Sequence, residues 1–314
     1  VTVQAWVDQT RDMLLSGYVE ELDVLTGVMA INATTVPLQG LANGIAKGVV
    51  IEVDSEMMYV SVAGSTTPTI IRGYGGSIPA AHASGSLVRV SPKFPTHRIV
   101  QAINDDLGDL SSPDNGLFQM KTTSFTYNGG IEGYNLSGLS NEEVSSIYNV
   151  TFSNVGVIDS EPEIASWTLK RNRDTTSFSS GMALILYSDA IPGRKITVMY
   201  KSPLTKVSLS DLTVKKATTG LLASAFDVIP LGVSVSLMAT MPIRREFLDA
   251  QGTSRMADQV PPGAIAASSR DLYARRENRI KSEAARLVAM YPQQWNRNPS
   301  ANYGSGVGWG RGRV

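Results

Sequence analysis

The chain has 314 residues, with 28 lysines and arginines balanced by 28 aspartates and glutamates, two histidines and no cysteine. A zero formal charge gives no global field toward nucleic acid or an acidic membrane. The missing thiols exclude disulfides, thiolate metal sites and cysteine nucleophiles, in keeping with a reducing cytoplasm.

Length alone makes two lobes the default expectation. Residues 1–16 read as a helix: Thr2 is placed to cap it, and Val3, Trp6, Val7, Met13 and Leu14 recur near helical spacing before Gly17. Asp8 and Asp12 fall where a secretory signal would be apolar. No apolar run reaches the ~20 residues of a membrane span, so a soluble protein without a membrane partner is expected.

Residues 17–93 read as a small β-barrel-like module. Ile45 to Val53 and Glu56 to Val62 are predicted strands across an Asp54-Ser55 turn, followed by strands at Thr69 to Arg72 and Ser86 to Val90. Gly73-Tyr74-Gly75-Gly76 lacks the third glycine and the strand-to-helix context of a dinucleotide fingerprint, and reads as a hairpin turn. Ser77 and His82 share this segment. No serine sits in a nucleophile elbow and no acid is evidently placed to orient the imidazole, so no triad is expected.

Residues 94–116 change period. Phe94, Ile99, Ala102, Ile103, Leu107 and Leu110 form an apolar stripe of a predicted amphipathic helix. Asp105 and Asp106 project about 100° apart and read as a solvated face rather than an acid–base pair. His97 reads as a surface or interface residue. With His82 and His97 the only imidazoles, no catalytic residue, metal site or cofactor is expected.

Residues 117–220 read as a larger antiparallel β-sandwich, jelly-roll-like, with strands such as Ala165 to Lys170, Met182 to Tyr187 and Lys195 to Tyr200. Helical texture resumes over residues 221–292. Asp227 is a cap candidate, Leu231, Val235, Leu237, Met238 and Met241 follow, and Ile243 to Leu248 continue past a kink at Pro242. Gln251 to Pro262 reads as a loop. The next helix sets Tyr273, Ile280, Ala284, Leu287 and Tyr291 on one narrow face. Residues 293–314 form an extended arm with no acid, carrying Trp295, Arg297, Tyr303, Trp309, Arg311 and Arg313. Aromatic and arginine anchors of this kind dominate protein interfaces, so a protein groove is the favoured partner over nucleic acid.

The stretch from Ile51-Glu52-Val53-Asp54-Ser55-Glu56-Met57-Met58-Tyr59-Val60 through Ile71-Arg72-Gly73-Tyr74-Gly75-Gly76 and Ala80-Ala81-His82-Ala83 to Pro92-Lys93-Phe94-Pro95 and Ile99 to Asp106 resembles structural proteins of tailed phages. It looks like head-to-tail connector, neck or minor tail components; the resemblance covers roughly residues 45 to 110, with a weaker echo at Pro261 to Ala264 and Leu272 to Tyr291. It implies a non-enzymatic adaptor, assembled in the host cytoplasm and located in the virion. Copies would form a homo-oligomeric ring, commonly of twelve, between the portal protein and a downstream tail or neck protein. Double-stranded DNA would pass through without sequence-specific recognition. The expected fold is α+β, a helical-bundle body from which the small β-barrel-like module and the larger sandwich project as insertions. The arm residues Trp295, Arg297, Tyr303, Trp309, Arg311 and Arg313 are expected to engage the portal. The alternative is a tail or baseplate protein whose sandwich binds host-surface carbohydrate through exposed Tyr127, Tyr134 or Trp167; packing in the core is the favoured reading of those three.

Overall fold

A computed structural model of the chain describes residues 1–15, 20–131, 133–153, 161–164, 166–187, 192–240 and 264–292. The chain divides into two compact units, Val1–Gly116 with Thr205–Ala284, and Leu117–Leu204 with Ala285–Val314.

The first unit opens with helix α1 (Gln4–Leu15) and contains strands β1 (Glu21–Val24), β2 (Val50–Val53), β3 (Glu56–Val62), β4 (Thr69–Ile71) and β5 (Leu87–Val90). They form one sheet in the order β1-β5-β2-β3-β4, with every neighbouring pair antiparallel. Asp54, at φ 55°, adopts the left-handed backbone that the tight β2–β3 turn requires. One face of the sheet presents Ile51, Val53, Met58, Val60, Ile70, Val88 and Val90. What covers that face is irregular chain, not helix: Leu25, Met29, Val36, Leu38, Ala42 and Ile45 complete the same core.

Helix α2 (Thr96–Leu110) buries Ile99, Val100, Ala102, Ile103, Leu107 and Leu110, the stripe its sequence period demands. It packs on α1, on β3 and on helix α3 (Val228–Thr240). Trp6 of α1 is fully buried; its indole Nε1–H donates to the Phe226 carbonyl at 2.8 Å, and the two rings meet edge-on at 5.6 Å. That bond removes the cost of burying the indole N–H. Helix α4 (Ala264–Met290) buries Arg276, Ile280 and Glu283 within this unit. Gly232 of α3 is required by close approach: a Cβ there would overlap Asp106 and stand 2.6 Å from Arg276 Nε.

The second unit is a sandwich of two three-stranded antiparallel sheets. One has β7 (Gly133–Asn135), β10 (Ala183–Leu186) and β9 (Trp167–Lys170) in that order, and the other β6 (Gln119–Thr126), β11 (Lys195–Ser202) and β8 (Ser146–Phe152). Tyr134, Leu184, Val150, Ile196, Val198 and Tyr200 meet in one core drawn from both sheets.

The expectation of a helical-bundle body carrying β insertions is overturned. Among the described residues there are four α-helices against eleven strands in three antiparallel sheets, and each unit is built around sheet rather than a helical bundle. The physical reason lies in the segment 25–45, whose scattered apolar residues cover the five-stranded sheet directly and leave it no need of a helical body. The small module is barrel-like as expected: β1 and β4 end the five-stranded order, and residues 34–39 bridge them, with Ile70 N–H donating to the Thr34 carbonyl and Leu38 N–H to that of Thr66 on the β4 side, and Gln39 N–H to the Val24 carbonyl on the β1 side. The Gly73–Gly76 stretch is not a hairpin turn, because β4 pairs with β3 while β5 pairs with β1 and β2. It is a single 3-10 turn in which Gly75 has φ 63°, and a Cβ there would approach Met57 Cε to 2.6 Å.

Candidate functional site

The densest polar constellation of the first unit grows from the β2–β3 hairpin. Glu56, fully buried at the start of β3, accepts five hydrogen bonds. Arg72 donates from Nε and Nη2, each at 2.6 Å, in a bidentate pair. The backbone N–H groups of Gly73 and Ala80 donate at 3.2 and 3.0 Å, and His82 Nε2 lies at 2.9 Å. His82 Nδ1 lies 2.7 Å from Asp54 Oδ2. Arg72 also donates to the carbonyls of Ala30 and Ala80, so three separate loops converge on one carboxylate.

The electrostatics follow from these contacts. Burial works to raise the Glu56 pKa, but Arg72, His82 and the Ala80 N–H outweigh it and hold the carboxyl down at about 2. Burial would likewise depress His82; hydrogen bonds to Asp54 and Glu56 outweigh it and hold the imidazole above its ordinary value. An imidazolium that donates from both nitrogens keeps no lone pair to accept a proton. Ser77 Oγ does not meet it: Ser77 is buried, accepting from the Met57 N–H and donating to backbone carbonyl oxygen.

A cleft of about 410 Å³ opens beside this cluster, lined by Asp54, His82, Arg11, Glu52, Arg89 and Thr96 among others. Glu52 of β2 accepts from the Thr96 N–H at 2.6 Å and the Thr96 hydroxyl at 2.5 Å, and so caps α2 from a distant strand. Arg11 of α1 donates to Thr96 Oγ1 at 2.8 Å and lies 3.3 Å from Glu52. Burial pushes the Glu52 carboxyl up against the pull of Thr96 and Arg11, and pushes the Arg11 guanidinium down against Glu52. The same device recurs on β1. Asp23 accepts from the N–H groups of Val24, Leu41 and Ala42, and Glu21 from those of Asn43 and Gly44. In this sheet, acids hold loops by their main chain.

Several sequence expectations change here. Acids do orient His82, contrary to the reading from local sequence. Asp106 is not on a solvated face: it is buried against Arg276 at 2.7 Å, and Arg276 also reaches Asp109 at 2.6 Å. Burial pushes the Asp106 carboxyl up to about 7 despite Arg276, with Asp109 adding repulsion. Asp105 is exposed as expected. His97 is fully buried instead of lying on the surface, neither ring nitrogen has a hydrogen-bond partner among the described residues, and burial lowers its pKa. On α4, Tyr273 is exposed while Arg276 and Glu283 are buried, so the inner face carries charge. Tyr127 and Tyr134 are buried in the sandwich core with Phe125 stacked on Tyr134 at 4.6 Å, and Trp167 packs half-buried against that core. The arm residues Trp295, Arg297, Tyr303, Trp309, Arg311 and Arg313, the Ile243–Leu248 continuation and the Gln251–Pro262 loop lie outside the described residues.

The surface of the β module is apolar to a degree the sequence did not signal. Of the sixteen exposed large hydrophobic residues among the described residues, nine fall between residues 20 and 93: Leu22, Val28, Ile31, Leu41, Val62, Ile71, Tyr74, Ile78 and Leu87. Val28 and Ile31 flank a segment whose Met29 pairs with His82 and whose Ala30 carbonyl binds Arg72, so they neighbour the loop that carries Ile71, Tyr74 and Ile78.

No protein-family model and no curated protein sequence matches the chain.

Proposed function

We propose that the chain is a structural subunit of a tailed-phage head-to-tail connector, one copy of a homo-oligomeric ring between portal and tail through which double-stranded DNA passes. The observation that carries this reading is the pairing of two properties in the segment with the phage resemblance. Its buried ionisable side chains Glu52, Glu56 and His82, with the half-buried Arg72, engage one another and the backbone, while its surface exposes Ile71, Tyr74, Ile78 and Leu87. Buried charge of that kind fixes a rigid scaffold, and exposed apolar side chains at this density belong to protein–protein contact. The acid-free arm 293–314, with Trp295, Arg297, Tyr303, Trp309, Arg311 and Arg313, is the portal-facing element in this reading on the strength of its composition.

The test is copy number. Quantitative mass spectrometry of assembled particles should return about twelve copies per particle, the symmetry of a closed ring. Three copies, or none, would reject the assignment. Deleting residues 293–314 should abolish portal binding, and undiminished binding would remove the arm from it.

A further inference from the structure

A second cleft of the first unit, of about 580 Å³, lies between α1, the turn preceding α3, the start of α3 and α4. Lys216 lines it and is only 3% exposed. Its ammonium rests over two aromatic faces, 5.1 Å from the Trp6 ring centroid and 5.8 Å from that of Phe226. No carboxylate, carbonyl or hydroxyl partners it among the described residues, and burial lowers its pKa with no neighbouring acid to counter the shift. Ring faces compensate only part of the lost hydration of an ammonium, so this cation stands short of a counterion.

The other cation of the cleft is committed. Arg279 donates to both Asp227 oxygens, at 2.8 and 3.1 Å, and to the Ser224 carbonyl at 2.6 Å. Asp227 is thereby neutralised, whereas Asp12, exposed on α1, lines the same cleft without an ion pair among the described residues. A dianion such as phosphate would meet Lys216 and be repelled by Asp12. A monoanion gains the first contact at less cost from the second, and Met13, Phe226 and Pro230 supply apolar wall.

We propose that this cleft is a binding site for a carboxylate on a short apolar stem, the charge received by Lys216 Nζ and the stem by Met13, Phe226 and Pro230. Two sources share that chemistry, a glutamate of a partner segment and a free aliphatic acid. The site does not depend on the connector reading, and its test makes no use of a phage particle.

Acylation of Lys216 in the full chain by a water-soluble active ester, quantified by peptide mass spectrometry, reports access to the amine. Hexanoate, a capped peptide with glutamate between leucines, and inorganic phosphate are the three probes. At a concentration about ten times its Kd, a carboxylate probe should slow labelling of Lys216 by roughly tenfold and leave the exposed Lys281 unaffected. Protection by the peptide alone points to a partner segment, and protection by hexanoate to a small acid; either supports the site. Equal protection by phosphate, or none by either carboxylate, overturns it. Asp12→Asn, at an exposed position that leaves the core intact, should tighten binding of the protecting carboxylate by about threefold, and unchanged or weaker affinity would also overturn it. Lys216→Met should abolish the thermal shift that this carboxylate produces, and a retained shift counts against the proposal in the same way.

Discussion

Replacing Glu56 by glutamine removes one charge from a site that holds Arg72 and His82 in place. The cost follows from the proton equilibrium. The carboxyl titrates at about 2 in the folded protein against an ordinary value of 4.5, and a difference of that size corresponds to about 3 kcal/mol of stability near neutral pH. Breaking a buried ion pair by removing one partner gives a similar figure, roughly 3–5 kcal/mol, because the remaining guanidinium is left uncompensated. For a unit of this size, that loss lowers the melting temperature by roughly 6–12 °C. The direction with pH is fixed as well. The folded pKa is depressed, so the contribution is present above pH 4.5 and is lost as pH falls toward about 2. His82 contributes in the opposite sense: its folded pKa is raised, so its share is complete below the ordinary 6.5 and disappears as pH rises through the folded value. Urea unfolding at pH 7, followed by the fluorescence of the buried Trp6, measures the loss directly, and Glu56→Gln combined with Arg72→Met should cost less than the two single changes added. A loss under about 1 kcal/mol, or an acid limb between pH 4.5 and 2 that Glu56→Gln leaves unaltered, would refute the reasoning.

Gly232→Ala should destabilise by about 2–3 kcal/mol in thermal or urea unfolding, because the new methyl group has no place between α3 and the Asp106–Arg276 pair. Asp106 titrates at about 7 in the folded protein, so its share of stability is present below its ordinary 3.8 and is lost as pH rises through 7. The melting temperature of Asp106→Asn relative to the parent should therefore improve from pH 5 to pH 8, and a constant difference would contradict the shift. Ile71→Glu paired with Ile78→Glu, both at exposed positions, should leave the melting temperature within a few degrees while removing self-association in sedimentation measurements.

The elements with strong periodicity were legible before any fold was known. The stripe of α2, the strand Glu56–Val62 and its turn onto β2 stand where residue spacing puts them, because each is decided by local pattern, whereas the strand expected from Ile45 begins only at Val50. The Glu56 cluster was not read, since Glu56 and His82 are 26 residues apart and meet only after β3, β4 and the glycine turn have positioned them. A signal was nonetheless present: Arg72 and His82 are the only basic side chains between Glu56 and Arg89, in a segment too apolar to leave them unpaired. Asp106 was misassigned for a related reason. A helical wheel shows which face is polar, but the buried Arg276 that claims that face lies 170 residues downstream. The helical body was overestimated because the core residues of 25–45 follow no period, and pattern analysis gives such a segment no role.

The acids of the five-stranded sheet grip amide groups at Leu41, Asn43 and Ala80, none of them a core residue, and ask nothing of the side chains there. Any residue except proline brings the same N–H, so these outward positions are open to wholesale replacement while the loop stays where it is. A chain built in this way can be refitted to a changed neighbour by rewriting its exterior alone, with Glu21, Asp23 and Glu56 kept as the fixed points.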